Sequence, residues 1–361
     1  MRRVSSFVVL VAVAFSGLID RGAACAAPEA TENSKTSEIK STPPAKRKRA
    51  EKTRPAEKAS TGDAASEKPT SKKSRESSVK SKSKSGDATK SSKELSISEQ
   101  ANAIFTAELK KYVSGGMVDY AAWKKDPSGL NDYLAALSKV TRGEYDSFSP
   151  DEKLTFWINA YNAYTIKLVL DHYPIKGTKT YYPASSIRQI EGFWEENYIE
   201  LLGKKVTLEG MEHDILRRDF QEPRIHFAVV PAAKGCGRLR AEAYGVKGLN
   251  EALEQNTIEF LSNAKNVRFD TEKNLIYVSQ LFKWFPLDFA TAVGLGKRFP
   301  PPTDDEIVAA YILMKTPEAV QKNLSENGTK KFRVVYQEYD WSLNDTAEQP
   351  SSEPPGSPAS K

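Results

Sequence analysis

The sequence predicts an α+β domain in which helices pack on a small, mostly antiparallel sheet. Three observations carry that expectation. Long amphipathic stretches are interspersed with short extended ones, without the regular strand–helix–strand alternation that builds a parallel sheet. Two strand pairs face each other across polar turns: Tyr198–Leu202 with Lys205–Leu208 about Gly203-Lys204, and Val267–Asp270 with Leu275–Ser279 across Thr271–Asn274. The run RIHFAVVPAAKGCGRL, Arg224–Leu239, reads as a central strand over Arg224–Val230, with Phe332–Tyr336 in the same sheet.

Composition confines the domain to part of the 361-residue chain. Residues 1–26 carry Arg2 and Arg3, an apolar run from Phe7 to Ile19 and small residues at Ala24 and Ala26, the layout of a secretory signal peptide. The run is too short to span a bilayer comfortably. Acylation of Cys25 is the weaker alternative, because Gly22 stands where lipoproteins usually carry an aliphatic residue. An exported location follows as the expectation: periplasm, cell envelope or outside.

Residues 27–94 are Lys-, Ser- and Pro-rich with almost no large apolar side chain, and so are expected to be disordered, as is the tail 346–361. The linker holds roughly +8 of charge and the leader roughly +2. Of the formal +6 for the whole chain, about −4 is left for everything from Leu95 onward. The basic balance therefore belongs to the linker. Its expected partner is an anionic envelope polymer or membrane surface rather than nucleic acid. Nucleotide chemistry has no P-loop or dinucleotide fingerprint behind it, and no cofactor is implied.

Within 95–345 the helices follow from their periodicity and caps. Ala101, Ile104, Phe105, Leu109 and Tyr112 mark the first, which stops at Gly115-Gly116 before the extended Met117–Tyr120. Leu130, Tyr133, Leu134 and Leu137 mark the second. The third has the strongest start signal: Ser149 as N-cap, Pro150 at the first helical position and Glu152 completing a capping box, running to Tyr173 before Pro174. Its core stripe is Leu154, Trp157, Ile158, Tyr161, Thr165 and Leu168, with Phe156 and Ala160 on the opposite side. Further helices are expected over 208–220, Arg238–Tyr244, Leu249–Ser262 and, capped by Thr303 and Glu306, Asp304 to Met314.

Candidate site residues gather near the central run. If Cys25 leaves with the leader, Cys236 is the one thiol of the exported chain, and an unpaired thiol there calls for a reason. Cys236 is placed at the first turn of a helix, where a thiol pKa falls. His226 is the preferred base and His213 the reserve. Glu212, Asn159 and Asn162 are candidates to orient the histidine. Arg224, Gly235 and Gly237 would contact substrate, the last two through backbone amides. Glu212 falls on an apolar stripe and needs a partner, with His213, Arg217, Arg224 and His226 available. Asn159 and Asn162, three apart on a buried helix, read first as amides tying the helix to a loop.

The ordered motifs FWINAYNA, MEHDILR, RIHFAVV with GCGRL, SQLFKWF with DF, and YDWSLN resemble the family of domain of unknown function 547 over about Ile97 to Asn344. The resemblance implies a single domain in which Asn159, Asn162, Glu212, His213, Arg224, His226 and Cys236 occupy motif positions. The family pattern commonly has a cysteine where this chain has Pro231, and a proline where it has Gly237. A two-cysteine redox or metal pair of that kind is therefore closed to this chain.

Three functions compete at this point. The first is a thiol-dependent hydrolase or acyl transferase, by analogy with cysteine-peptidase and transglutaminase-like arrangements. The second is a non-catalytic binding or scaffold domain of the envelope, using the aromatics Phe282, Trp284, Phe285 and Trp341. The third is a zinc site at His213, His226 and Cys236 with Glu212, which lacks any short ligand spacing.

Overall fold

The computed structural model describes residues 97–318, 320–322 and 332–348. The expected leader 1–26, the linker 27–94 and the tail beyond 348 lie outside the described residues. Among those described, no helix is long and apolar enough to cross a membrane.

The fold mixes helices with small sheets, as an α+β chain does. Helix α1 (Ile97–Tyr112) leads into a two-residue hairpin, β1 (Val113–Ser114) with β2 (Met117–Val118), turning at Gly115 and Gly116. Both glycines have positive φ, 61° and 86°, which a side chain would resist. Short α2 (Tyr120–Lys125), α3 (Ser128–Ser138) and α4 (Arg142–Ser147) follow. Helix α1 lies on α3, where Phe105 stacks on Tyr133 with ring centres 4.5 Å apart.

Helix α5 (Pro150–His172) is the longest element described and begins as its capping box dictates. The Ser149 hydroxyl accepts from the Glu152 amide at 3.2 Å, and the Glu152 carboxylate accepts from the Ser149 amide at 2.8 Å. Burial, however, is not confined to one stripe. Every residue from Leu154 to Ala163 is buried, Phe156 and Ala160 included. The reason is that α1, α2 and α3 pack against α5, while Tyr145 of α4 and Phe148 cover Phe156. A helix apolar all round belongs inside a core.

The second half begins with the hairpin β3 (Ile199–Leu201) and β4 (Lys204–Val206), turning at Leu202 and Gly203. A π-helix, Gly210–Arg217, then runs into the short α6 (Arg218–Phe220). After the central segment come α7 (Leu249–Ser262), β5 (Val267–Asp270) and β6 (Leu275–Ser279). Helices α8 (Leu281–Trp284) and α9 (Asp304–Lys315) precede β7 (Arg333–Gln337). β6 is the middle strand of the one three-stranded sheet described, antiparallel to β5 and parallel to β7. That sheet is mixed, where a mostly antiparallel one was expected: β7 begins beside Leu275, at the start of β6, and runs parallel to it.

The expected central strand is not one. Pro223–Phe227 is a 3₁₀ helix, opened by the Glu222 side chain accepting from the Arg224 amide, and Ala228–Val230 is irregular. All six residues from Ile225 to Val230 are buried, so there is no solvent face for an alternating strand to present. β7 does lie in the sheet, but the 224–230 segment does not pair with it. The helix expected over Arg238–Tyr244 is likewise absent, replaced by irregular chain.

Two apolar cores meet along this segment. Ile225, Ala228, Val229 and Val230 belong to the core around α5, while Phe227 points into the phenylalanine-rich core under the sheet and α9. Replacing the N-cap, Ser149→Ala, is expected to cost about 1 kcal/mol by leaving helix-end amides without their acceptor. Urea unfolding followed by circular dichroism reads this as a lowered midpoint with unchanged slope.

Candidate functional site

The side chains of interest converge on one cleft of about 630 Å³, measured out into open solvent. Its walls are Tyr161, Trp194, Trp284, Phe285, Tyr339 and Trp341, and Glu195, Glu209 and Glu212 supply its carboxylates. His213, His226 and Cys236 reach it as well. The elements that bring them together are α5, the π-helix, the 224–230 segment, α8 and the C-terminal run 339–345.

The π-helix explains why Glu212, His213 and Arg217 face the same region. Its wider turn brings residues four and five apart into line. The Arg217 guanidinium reaches His213 Nδ1 at 2.9 Å. A guanidinium only donates, so Nδ1 is the acceptor and Nε2 carries the ring proton. Arg217 also grips Asp288 with two bonds, Nε to Oδ2 at 2.6 Å and Nη2 to Oδ1 at 3.0 Å. The same Oδ2 receives His226 Nε2 at 2.7 Å.

His226, Arg217 and His213 share the Phe285 ring. His226 stacks on it at 4.3 Å, Arg217 sits over it at 4.5 Å and His213 lies tilted to it at 6.0 Å. Burial works to raise the Asp288 carboxyl, but the hydrogen bonds and charges of His226 and Arg217 outweigh it and hold the group down at about 2. With Asp288 ionised and accepting, His226 carries a proton on Nε2.

Glu212 does not use the partners expected of it. It is 8% exposed, and its Oε2 accepts from the Tyr161 hydroxyl of α5 at 3.1 Å. No ion pair to His213, Arg217, Arg224 or His226 accompanies that bond among the described residues. Arg217 is committed to Asp288, and Arg224 to a different cluster.

Cys236 departs furthest from expectation. It lies in a turn rather than at a helix N-terminus, its thiol donates to the Ala233 carbonyl, and it is 8% exposed. Burial pushes the thiol up to about 12, against smaller opposing hydrogen bonds that include one with Tyr339. Neither histidine is hydrogen-bonded to it. Among the described residues, no group of three or more His, Cys, Asp and Glu is disposed to hold a metal ion, so His213, His226, Cys236 and Glu212 do not form the expected zinc set.

Asn159 and Asn162 act on backbone. The Asn162 amide donates to the Ala228 carbonyl at 3.0 Å and accepts from the Val230 amide at 2.8 Å. Asn159 holds both polar groups of Tyr244, donating to its carbonyl and accepting from its amide, each at 2.8 Å. Neither lines the cleft. Arg224 lies outside it too, paired with Glu222 at 2.7 Å and hydrogen-bonded to Asn250.

Gly235 spends its amide on the Asp340 carbonyl at 2.8 Å. A side chain at Gly237 would meet the Phe227 carbonyl oxygen at 2.1 Å. Both glycines therefore allow close backbone approach, and the Gly235 amide is not available to an oxyanion.

Sequence reasoning missed Asp288 as a site residue, along with Trp194 and Tyr339. Asp288 belongs to the quoted DF pair after LFKWF, but it lies 62 residues from His226, and nothing local announces the contact. The C-terminal run is positioned by backbone pairing. Lys234 donates to the Ser342 carbonyl at 2.9 Å and Asn344 to the Ala232 carbonyl at 3.0 Å. Tyr120 reaches the Asn344 side chain at 2.8 Å.

The model of the family described as Protein of unknown function, DUF547 matches residues 145–261 of this chain. That stretch includes Asn159, Asn162, Glu212, His213, Arg217, His226 and Cys236. It ends before Asp288, Trp284 and the 339–345 run that complete the cleft. No curated protein and no solved structure matches the chain.

Two outcomes test the geometry. Gly237→Ala forces a methyl group against the Phe227 backbone and is expected to destabilise by about 3 kcal/mol or more, measured by urea unfolding. Asp288, depressed to about 2 from 3.8, contributes stability that is present above about pH 4 and lost as pH falls toward 2. The stability difference between wild type and Asp288→Asn should therefore shrink over that interval by roughly 2 kcal/mol. A constant difference from pH 6 to pH 2 would count against the ionised pairing.

Proposed function

We propose that this chain, with its DUF547 stretch at 145–261, works through the cleft as a binding domain for a small organic ligand, and that Cys236 is part of the wall. The observation that carries this reading is the state of the thiol: it is buried, donates to a backbone carbonyl and is pushed up to about 12, in a cleft with six aromatic residues in its walls. A nucleophilic thiol needs the opposite environment, a depressed pKa or a base within hydrogen-bond reach. Aromatic walls with a few placed polar groups are the ordinary furniture of ligand sites. Export through the 1–26 leader and attachment to an anionic envelope polymer or membrane surface through the basic 27–94 linker are part of the same proposal.

One observation favours thiol-dependent hydrolysis or acyl transfer as a second reading. Cys236 and His226 line the same cleft, and Asp288 orients His226 through Nε2, so that in the neutral ring Nδ1 would be the base, the order of roles that a nucleophile, base and orienter require. In that reading the thiol must turn from the Ala233 carbonyl toward His226 when substrate enters.

Alkylation by iodoacetamide, followed at the Cys236 peptide by mass spectrometry, separates the two. The binding reading expects slow native labelling from pH 6 to pH 9 and fast labelling in urea, where the thiol returns to about 8.5. Fast native labelling at pH 6 that His226→Ala abolishes would sink the binding reading and leave the catalytic one.

A further inference from the structure

We infer that the ligand of this cleft is an organic cation, a quaternary ammonium or a comparable alkylated amine; the inference rests on the binding reading and specifies its substrate class. Charge gives the first argument. The lining residues include Glu195, Glu209 and Glu212 and no lysine or arginine. Two guanidiniums that touch cleft rings, Arg217 over Phe285 and Arg188 over Trp194, do not cancel them all. Arg217 is matched by Asp288, and Arg188 is one charge set against three carboxylates. An anionic ligand would enter against that balance, and a cation with it.

Glu212 gives the second argument. It is a carboxylate 8% exposed, held by a tyrosine hydroxyl, with no ion pair among the described residues. A buried carboxylate without a cation is costly, and a cationic ligand would offset that cost. Its second oxygen, Oε1, makes no hydrogen bond among the described residues.

The rings give the third. Trp284 lies 5.8 Å from Trp341 and 5.0 Å from Tyr339, and Tyr339 lies 4.6 Å from Trp341. Three electron-rich rings thus pack on one another as one wall, and a cation seated against that wall meets an electron-rich ring face. The same wall already accommodates one cation from the chain itself. The Arg188 guanidinium lies 5.4 Å from Trp194, 5.2 Å from Trp341 and 5.0 Å from Tyr182. Arg188 is not among the cleft-lining residues, so it borders the wall without filling the site.

Choline and 3,3-dimethyl-1-butanol are nearly identical in shape and differ in charge, and 3,3-dimethylbutanoate supplies the anion. Titration of each into the full chain, read by tryptophan emission, tests the class. Choline is expected to half-saturate at about a tenfold lower concentration than the alcohol, with the carboxylate weaker still. Glu212→Gln, which keeps an acceptor for Tyr161, should bring choline and the alcohol together. Should that variant not fold, the half-buried Glu209→Gln carries the same comparison, with a smaller convergence. Equal binding of choline and the alcohol, or tighter binding of the carboxylate, overturns the cation while leaving a binding cleft in place. No saturable change in emission or melting temperature with any of the three overturns both.

Discussion

An irregular backbone buried in a core must find a partner for each of its amides and carbonyls, and that constraint organises this domain. From Ile225 to Val230 the chain runs buried between two apolar cores without a strand neighbour. The Ile225 carbonyl takes the Ala228 and Val229 amides within its own turn, and amide side chains meet other polar groups. Asn162 takes Ala228 and Val230, and Asn256 donates to Phe227 and Arg238. A few residues on, Asn159 holds both ends of Tyr244. Each such bond is modest in net terms, but losing one strands a buried backbone group, which is the larger penalty. Asparagine can donate and accept from one planar group, and so imitates the pair of bonds that an adjacent strand would have made.

The site inherits its geometry from this arrangement. His226 lies within the clamped segment, and its ring is fixed between the Phe285 face and the Asp288 carboxylate. The π-helix supplies Arg217 to the same carboxylate, so one acidic group absorbs two nitrogen-bearing side chains. Cys236 follows a left-handed turn at Ala232, φ 55°, where Asn344 and Ser342 take up the loop backbone. An alanine in that region of φ is uncommon and persists because its surroundings determine it. The thiol is consequently turned toward its own loop, and burial does the rest.

How much of this was legible in the sequence depended on range. Caps at Ser149 and Thr303, the hairpins at Gly203 and at Thr271–Asn274, and the ends of α7 follow from local rules, and they stand where those rules put them. The 224–230 run defeated the same rules because a short, fully buried apolar stretch looks alike whether it is paired or clamped. What distinguishes the cases is Asn162, 66 residues away from Ala228, and no periodicity encodes that. Cys236 and His226 line one cleft. Their relation was not readable, because the intervening loop is positioned by residues 340–344 from the end of the domain. The π-helix was hidden for a different reason, since one added residue per turn leaves an apolar pattern that fits an ordinary helix.

The distribution of charge follows from who is paired with whom. Had Arg217 reached Glu212, the cleft would hold a neutral pair at its floor, and His226 would stand beside an unshared Asp288. Instead Asp288 sits where two donors converge, and their combined pull overcomes the desolvation that would otherwise raise its carboxyl. Among the described residues Glu212 is left with Tyr161 alone. A phenol hydrogen bond stabilises a carboxylate but brings no charge to it. The pairing of Arg217 and His226 with Asp288 thus leaves Glu212, which lines the cleft, without a charged partner among the described residues.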